Sequence, residues 1–427
     1  MAYPGGNAQE RGRSVPLLTA LGFLLAALCD ALAYVTIGPA SGSAIISAMV
    51  AVFGIISLPS LISAPNVGYF RPIAPVFLLA IWQSALSAML GVTNDGLQTL
   101  SALWMFVSIL LVTSAFVGQA GAVRGRRWLY GVGWLVGGIY AVELIMGGLG
   151  AAGLVGRRSF ALEALVLLSA VVPYAFDRTS FSARWQPYFL FALIAGSLSR
   201  TAMVVAAVLL VIRASFSRVG FRRGRFVFLG ALSIAAGTVV VSSVPLLRER
   251  FLGGDQAFQF GGLSFSSQGR DAIWAVVLEG ANRSPIIGQG PGSVKAEVSR
   301  LLPGIGEPHN DFLRVLYDSG WVGLALFVLG LLSLATATAR RAFRARTLAD
   351  AAPHTSALLA ICAFVFACTT DNPLVYSFVL APLAIIVGLS LREELPPKRD
   401  RKSQINRQSQ SVDMLATHKK ISRERRR

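Results

Sequence analysis

The stretch Trp185–Ile212, WQPYFLFALIAGSLSRTAMVVAAVLLVI, decides the fold. Read as one helix, it buries Arg200 in the middle of an apolar segment. Read as two short helices meeting at Ser199–Arg200, it is a hairpin. Positive charge arbitrates, because Lys and Arg collect on the cytoplasmic side of a membrane. With a hairpin, the six cytoplasmic segments carry 2, 1, 3, 2, 5 and 4 basic residues and the C-terminal tail 12, which is 29 of the 39 in the chain, against 10 outside. With a single helix every later segment changes side, leaving 15 inside and 23 outside. The hairpin is therefore expected. At 1.5 Å per residue each of its helices reaches only about 20 Å, so the Ser199–Arg200 connection should lie below the outer surface. An arginine at membrane depth is costly without a partner or a water-filled cavity, which makes Arg200 a functional candidate.

Outward from the hairpin, apolar windows recur along nearly the whole chain. They predict spans at Val15–Ile37, Ser43–Ile62, Ile73–Leu90, Leu97–Val117, Trp128–Met146 and Phe160–Phe176. Phe226–Val244, Gly320–Ala339, Ala357–Cys368 and Leu374–Leu391 follow the hairpin's two helices. Most match the about 20 residues that cross a bilayer. The 427 residues are 54% hydrophobic and 14% charged, with a mean hydropathy of +0.62, which excludes an ordinary soluble domain. The expected fold is an all-α polytopic membrane protein of about 12 transmembrane helices, with N- and C-termini cytoplasmic. The net charge of +18 does not point to nucleic acid, because the basic residues occupy the gaps between spans and the tail.

Four regions are expected: a bundle of helices 1–9 over residues 1–244, a large outer loop over 245–319, helices 10–12 over 320–391, and a basic tail over 392–427. The loop contains two helix-like stretches, Arg270–Glu279 and Ser293–Leu302, and is expected to form a small folded cap. The tail is polar and without apolar periodicity, so it is expected to be disordered and to rest on membrane lipids.

Three features of the outer half carry polar chemistry: Arg200, in Ser197-Leu198-Ser199-Arg200-Thr201; Arg270, in Gly269-Arg270-Asp271-Ala272-Ile273-Trp274; and His309, in Pro308-His309-Asn310-Asp311-Phe312-Leu313-Arg314. Among the histidines only His309 lies outside the cytoplasmic regions. Pro308-His309-Asn310-Asp311 reads as a helix start with Asn310 as N-cap. An imidazole beside the positive end of that helix favours its neutral form and can take a proton from a hydroxyl. Arginines supply forked donors that suit phosphate oxygens. Arg314 and Asp318, spaced i and i+4, form either a supporting pair or a plain surface ion pair.

The order of these pieces, followed by Gly320-Trp321-Val322-Gly323 and separated by Pro285-Ile286-Ile287-Gly288-Gln289-Gly290, resembles the O-antigen ligase and O-antigen polymerase superfamily, which includes lipopolysaccharide ligases and exopolysaccharide polymerases. The resemblance covers residues 185–334. It implies a GT-C-like bundle capped by a periplasmic loop, in a bacterial inner membrane with the active site facing the periplasm. It also implies an inverting glycosyltransferase needing neither cofactor nor metal. In such enzymes arginines like Arg200 and Arg270 hold the diphosphate of an undecaprenyl-diphosphate-linked glycan donor. A histidine like His309 assists attack by a sugar hydroxyl of a second lipid-linked glycan or of a lipid A-core acceptor. Other polysaccharide-assembly proteins are implied as partners.

The remaining features point elsewhere or nowhere. Gly288-x-Gly290-x-Gly292 follows no strand and leads to no Gly-Lys-Ser/Thr, so it reads as a tight turn or a place where backbone approaches substrate. Cys29, Cys362 and Cys368 lie in apolar segments as packing residues. Asp30, Glu143 and Glu163 within spans could mark the proton path of a transporter or flippase for a lipid-linked glycan, or be hydrogen-bonded structural carboxylates. No internal repeat supports the transporter, and a scaffold acting through its tail leaves Arg200 unexplained.

Overall fold

The hairpin is present in the computed structural model, and one buried arginine shows it. Phe181–Gly196 (16 residues) and Arg200–Ser215 (16 residues) are separate helices, joined by a turn in which Leu198 takes φ 58°. Arg213, near the end of the second, donates to the Ala183 carbonyl at the start of the first over 2.5 Å. In one continuous helix those residues would stand about 45 Å apart. The chain therefore folds back on itself, and Arg200 sits at the opposite end of the hairpin from Arg213.

The structure describes residues 22, 35–37, 40–62, 67–91, 93–116, 119–150, 153–177, 180–217, 220–221, 223–243, 258–260, 263–265, 270–302 and 306–392. Nearly all of the expected first span, Cys29 and Asp30, and the tail after Arg392 lie outside them. In chain order the helices are α1 Gly42–Ile62, α2 Phe70–Leu90, α3 Asn94–Phe116, α4 Gln119–Gly147, α5 Arg157–Val171, α6 Phe181–Gly196 and α7 Arg200–Ser215. They continue with α8 Arg223–Ser243, α9 Arg270–Ala281, α10 Ser293–Leu301, α11 Asp311–Arg344, α12 Leu348–Cys368 and α13 Ser377–Arg392. Among the described residues, strands are confined to three two-stranded antiparallel hairpins of two or three residues per strand.

Six of these, among the described residues, are long and apolar enough to cross a membrane: Phe70–Leu90, Asn94–Ala115, Ala122–Gly147, Arg157–Phe176, Asp311–Arg344 and Leu348–Cys368. Gly42–Ile56 and Ser377–Arg392 are shorter apolar segments. The hairpin helices are likewise shorter than a full span, reaching about 24 Å each.

α5 and α13 are buried along almost their whole length, as helices without a polar face must be. α13 lies against α3, α5 and α12. A Cβ on its Gly388 would run into Thr113 of α3, so a small residue lets the two backbones close up, as membrane helices require.

α11 is not one continuous helix. Gly320 takes φ 64° and ψ −168°, splitting it after Ser319. The loop Pro285–Gly292 repairs the cut. Gln289 and Gly290 donate to the Tyr317 and Asp318 carbonyls at 2.9 Å each, and Trp321 donates to the Pro285 carbonyl at 2.8 Å. Trp82 of α2 takes up the Ser319 carbonyl at 3.1 Å. A Cβ on Gly288 would fall against the Asp318–Ser319 backbone, and one on Gly292 against that of Asp95–Gly96 in α3. The Gly288–Gly292 glycines thus make a tight turn that packs backbone on backbone. α9 and α10 then cover the first half of α11 with Ile273, Val277, Val294 and Val298 around Leu316 and Tyr317.

Candidate active site

Asn310 closes the start of α11 as its sequence position predicts. Its side-chain oxygen accepts from the Phe312 and Leu313 amides at 3.0 and 3.2 Å. The residue before it, His309, takes the left-handed conformation at φ 50°, a strained choice for a non-glycine residue. Its surroundings hold it there. Trp274, one helical turn after Arg270 on α9, donates to the Pro308 carbonyl at 3.0 Å. Arg314 pairs with Glu307 on one side of the turn and with Asp311 Oδ1 at 3.5 Å on the other. Asp311 in turn accepts from the Leu374 amide at 2.8 Å, tying the start of α11 to the segment between α12 and α13.

That segment supplies two residues that the sequence reading does not single out. Asp371 Oδ1 stands 3.6 Å from His309 Nδ1, and the Asn372 amide 3.4 Å from the same atom. A carboxylate there favours the proton on Nδ1 and leaves Nε2 as the acceptor, the atom that could take a proton from a hydroxyl. Asp371 also faces Arg270. Burial pulls the Arg270 guanidinium down from its ordinary range, attraction to Asp371 works against that, and repulsion from Arg158 adds to it. Arg270, Asp371 and His309 therefore share one neighbourhood.

Arg200 belongs to the same end of the molecule. Arg213 of α7 reaches the Val172 carbonyl just after α5, at 3.4 Å. From that level the chain climbs about 20 Å to Arg200 along α7, and about 21 Å to Arg158 along α5. Ser356 of α12 donates to the Ala170 carbonyl of α5 at 3.0 Å, which sets those two helices antiparallel. Climbing from there, Arg158 lies about 18 Å up α5 and Asp371 about 22 Å up beyond α12, so their levels differ by less than one helical turn. The Gly150 amide bonds the Gly196 carbonyl at 2.9 Å, joining the loop before α5 to the turn before Arg200.

Arg314 and Asp318 attract each other along α11, and each also has nearer partners. Arg314 takes Glu307 and Asp311 as partners. Asp318, buried, accepts from the Gly292 amide at 2.9 Å, the Val294 amide at 3.0 Å and the Ser293 hydroxyl at 3.1 Å. These three donors come from the open N-terminus of α10 and act on Asp318 together with the charge of Arg314. Of the membrane-embedded acids, Glu143 accepts from the Gly153 and Val155 amides at 3.3 and 2.9 Å and fastens a loop, while Glu163 is buried in α5. Among the described residues no group of three or more His, Cys, Asp or Glu stands close enough to hold a metal ion.

Asp371 left little trace in the sequence. It lies in a short loop after α12, 62 residues from its histidine. The available signal was an acid and an amide, Asp371-Asn372, closing an apolar run at the end where His309 opens one.

The fold and site define a multi-pass membrane protein with a cationic, histidine-bearing centre at one end of a helical bundle. Residues 187–328, about a third of the chain, match the family model of the O-antigen ligase, which supports membership of the O-antigen ligase and polymerase superfamily and a role in surface-polysaccharide assembly. The match covers Arg200, Arg270, His309, Asn310, Arg314 and Asp318, but neither Arg158 nor Asp371. No curated protein matches the chain.

Proposed function

We propose that the protein is a metal-independent inverting glycosyltransferase of surface-polysaccharide assembly. It takes a glycan from an undecaprenyl-diphosphate donor and joins it to a sugar hydroxyl of a second lipid-linked glycan or of a lipid A-core. It works in the bacterial inner membrane, with both termini cytoplasmic and the 245–319 loop bringing the site to the periplasmic face. The observation that carries this reading is the meeting of Arg270, Asp371 and His309 at the bundle end that also carries Arg200.

In the reaction, Arg200 and Arg270 neutralise the donor's diphosphate. The acceptor hydroxyl gives its proton to His309 Nε2 as its oxygen attacks the anomeric carbon from the face opposite the diphosphate. The carbon–oxygen bond to the diphosphate breaks, its electron pair stays on the phosphate oxygen, and the configuration inverts. Charge neutralisation in a water-poor site and a positioned base are sufficient for this single displacement.

His309→Ala and Arg270→Ala, each present in the membrane at parental level, are expected to abolish polymeric or ligated glycan. Normal product from both variants would overturn the enzyme reading. Glycans of a deletion strain then separate the two acceptors. Single repeats left on the carrier lipid indicate polymerisation, and full polymers left there indicate ligation.

A further inference from the structure

One cation at this end of the bundle has no task in the displacement above. Arg158 is half-buried in the first turn of α5, next to Arg157. α5 opens behind Gly156 without a side-chain cap and with no acidic residue in its first turn. Helix N-termini carry partial positive charge and ordinarily attract acids. Paired arginines there oppose the helix end as well as each other. The helix registers put Arg158 level with Arg200 on one side and with Asp371 on the other. Arg270 senses Arg158 as a like charge, and the one carboxylate acting on Arg270, Asp371, is already shared with His309. Among the described residues, Arg270 thus feels Arg158 as a second cation against the single carboxylate of Asp371.

We propose that Arg158 is a third anion-binding residue of the donor site, meeting the negative charge that develops on the departing diphosphate. This rests on the glycosyltransferase reading. In the donor, each phosphate of the diester carries one ionised oxygen, and Arg200 and Arg270 suffice to match them. When the bond to the sugar breaks, its electron pair adds a further negative charge to the leaving group, while the proton released by the acceptor goes to His309. A cation placed for that increment strengthens its interaction as the reaction proceeds, so it lowers the barrier more than it tightens donor binding.

The test uses the full chain in lipid nanodiscs, with farnesyl diphosphate and farnesyl monophosphate as binding probes and turnover measured in parallel. Arg158→Gln is expected to weaken farnesyl diphosphate binding about tenfold or more, as loss of a charge-assisted contact does. Binding of the monophosphate should change less. Turnover should fall in kcat by a similar factor, with KM for the donor moving little, and Arg158→Lys should recover part of both losses. Parental affinity and kcat in Arg158→Gln would overturn the assignment. If that variant does not fold, Arg158→Lys decides alone, since it keeps the charge and loses the fork, and full activity with full affinity would count against the proposal. Arg270→Gln serves as the reference. If it loses diphosphate binding while Arg158→Gln keeps it, the site stands and only the role of Arg158 falls. If neither substitution matters, the glycosyltransferase reading falls as well.

Discussion

At the scale of single residues, the site depends on a few contacts that hold His309 in a backbone conformation it would not choose alone. Asn310 is the most local of them. Asn310→Ala removes the acceptor for two amides at the start of α11 and is expected to cost about 1 kcal/mol, seen as a lower unfolding temperature in detergent. It should also reduce product formation, because the turn it caps begins at His309. Unchanged stability would mean that the Asp311–Leu374 bond alone fixes the helix start. Arg314 is a stronger case. It is buried and sits between Glu307 and Asp311, so Arg314→Ala strands carboxylates with no counter-charge. Losing one partner of a buried pair typically costs about 3–5 kcal/mol, and little folded protein should accumulate in the membrane. Near-parental yield in a fluorescence-detected sizing run would show that water reaches those carboxylates. The N-cap was legible in the sequence because Pro308-His309-Asn310-Asp311 states it within four positions. The Glu307 partner of Arg314 was not, since helix spacing rules see only the helix and Glu307 lies before it. Asp371 was hidden for the same reason on a larger scale, because its link to His309 exists only after three helices have packed.

At the scale of elements, the hairpin α6–α7 and the broken α11 place the site, and each has one residue that tests it. Arg213 donates to the Ala183 and Val172 carbonyls and lies over the Tyr188 ring at 5.7 Å. Arg213→Ala leaves buried carbonyls unpaired, for which about 1–3 kcal/mol is a fair expectation, and should lower the unfolding temperature without altering donor affinity in the folded fraction. A selective loss of affinity would instead place Arg213 in the binding machinery. In α11, a side chain on Gly320 meets the Ile286 carbonyl and must also bear a positive φ. Gly320→Ala is therefore expected to undock Pro285–Gly292 from α11 and abolish activity, with increased proteolysis within 285–292 as the physical readout. An intact loop with full activity would refute the docking role. The hairpin could be read in advance because charge, not hydropathy, separates one helix from two. α9 and α10 were also legible as helix-like stretches inside a polar loop. The break at Gly320 was not, because the Gly-Trp-Val-Gly segment is apolar enough to continue a span, and only the hydrogen bonds from Pro285–Gly292 make ending the helix affordable.

At the scale of the whole molecule, the described basic residues are more numerous at the end of the bundle away from the site. Arg200, Arg270, His309 and Asp371 gather where α7, α9 and α11 begin and α12 ends. The opposite helix ends carry Arg71, Arg126, Arg213, Arg225, Arg341 and Arg392. By the positive-inside rule that asymmetry predicts the proposed orientation, with the arginine-rich ends in the cytoplasm and the site outside. It is the orientation expected from the sequence, with 29 inner and 10 outer basic residues, and among the described residues six helices are long and apolar enough to span. The proposed function requires that orientation, since a lipid-linked diphosphate flipped to the outer leaflet presents its head group there. Cysteine labelling decides it. In a chain whose Cys29, Cys362 and Cys368 are replaced, Asn282→Cys after α9 should react with a membrane-impermeant maleimide in intact spheroplasts, whereas Arg346→Cys after α11 should react only once the membrane is opened. Both positions are exposed in the fold, so a difference between them reports sidedness and not burial. The reverse pattern would put the histidine in the cytoplasm, out of reach of an outer-leaflet donor. Charge would then have misled both the reading of the hairpin and the proposed chemistry.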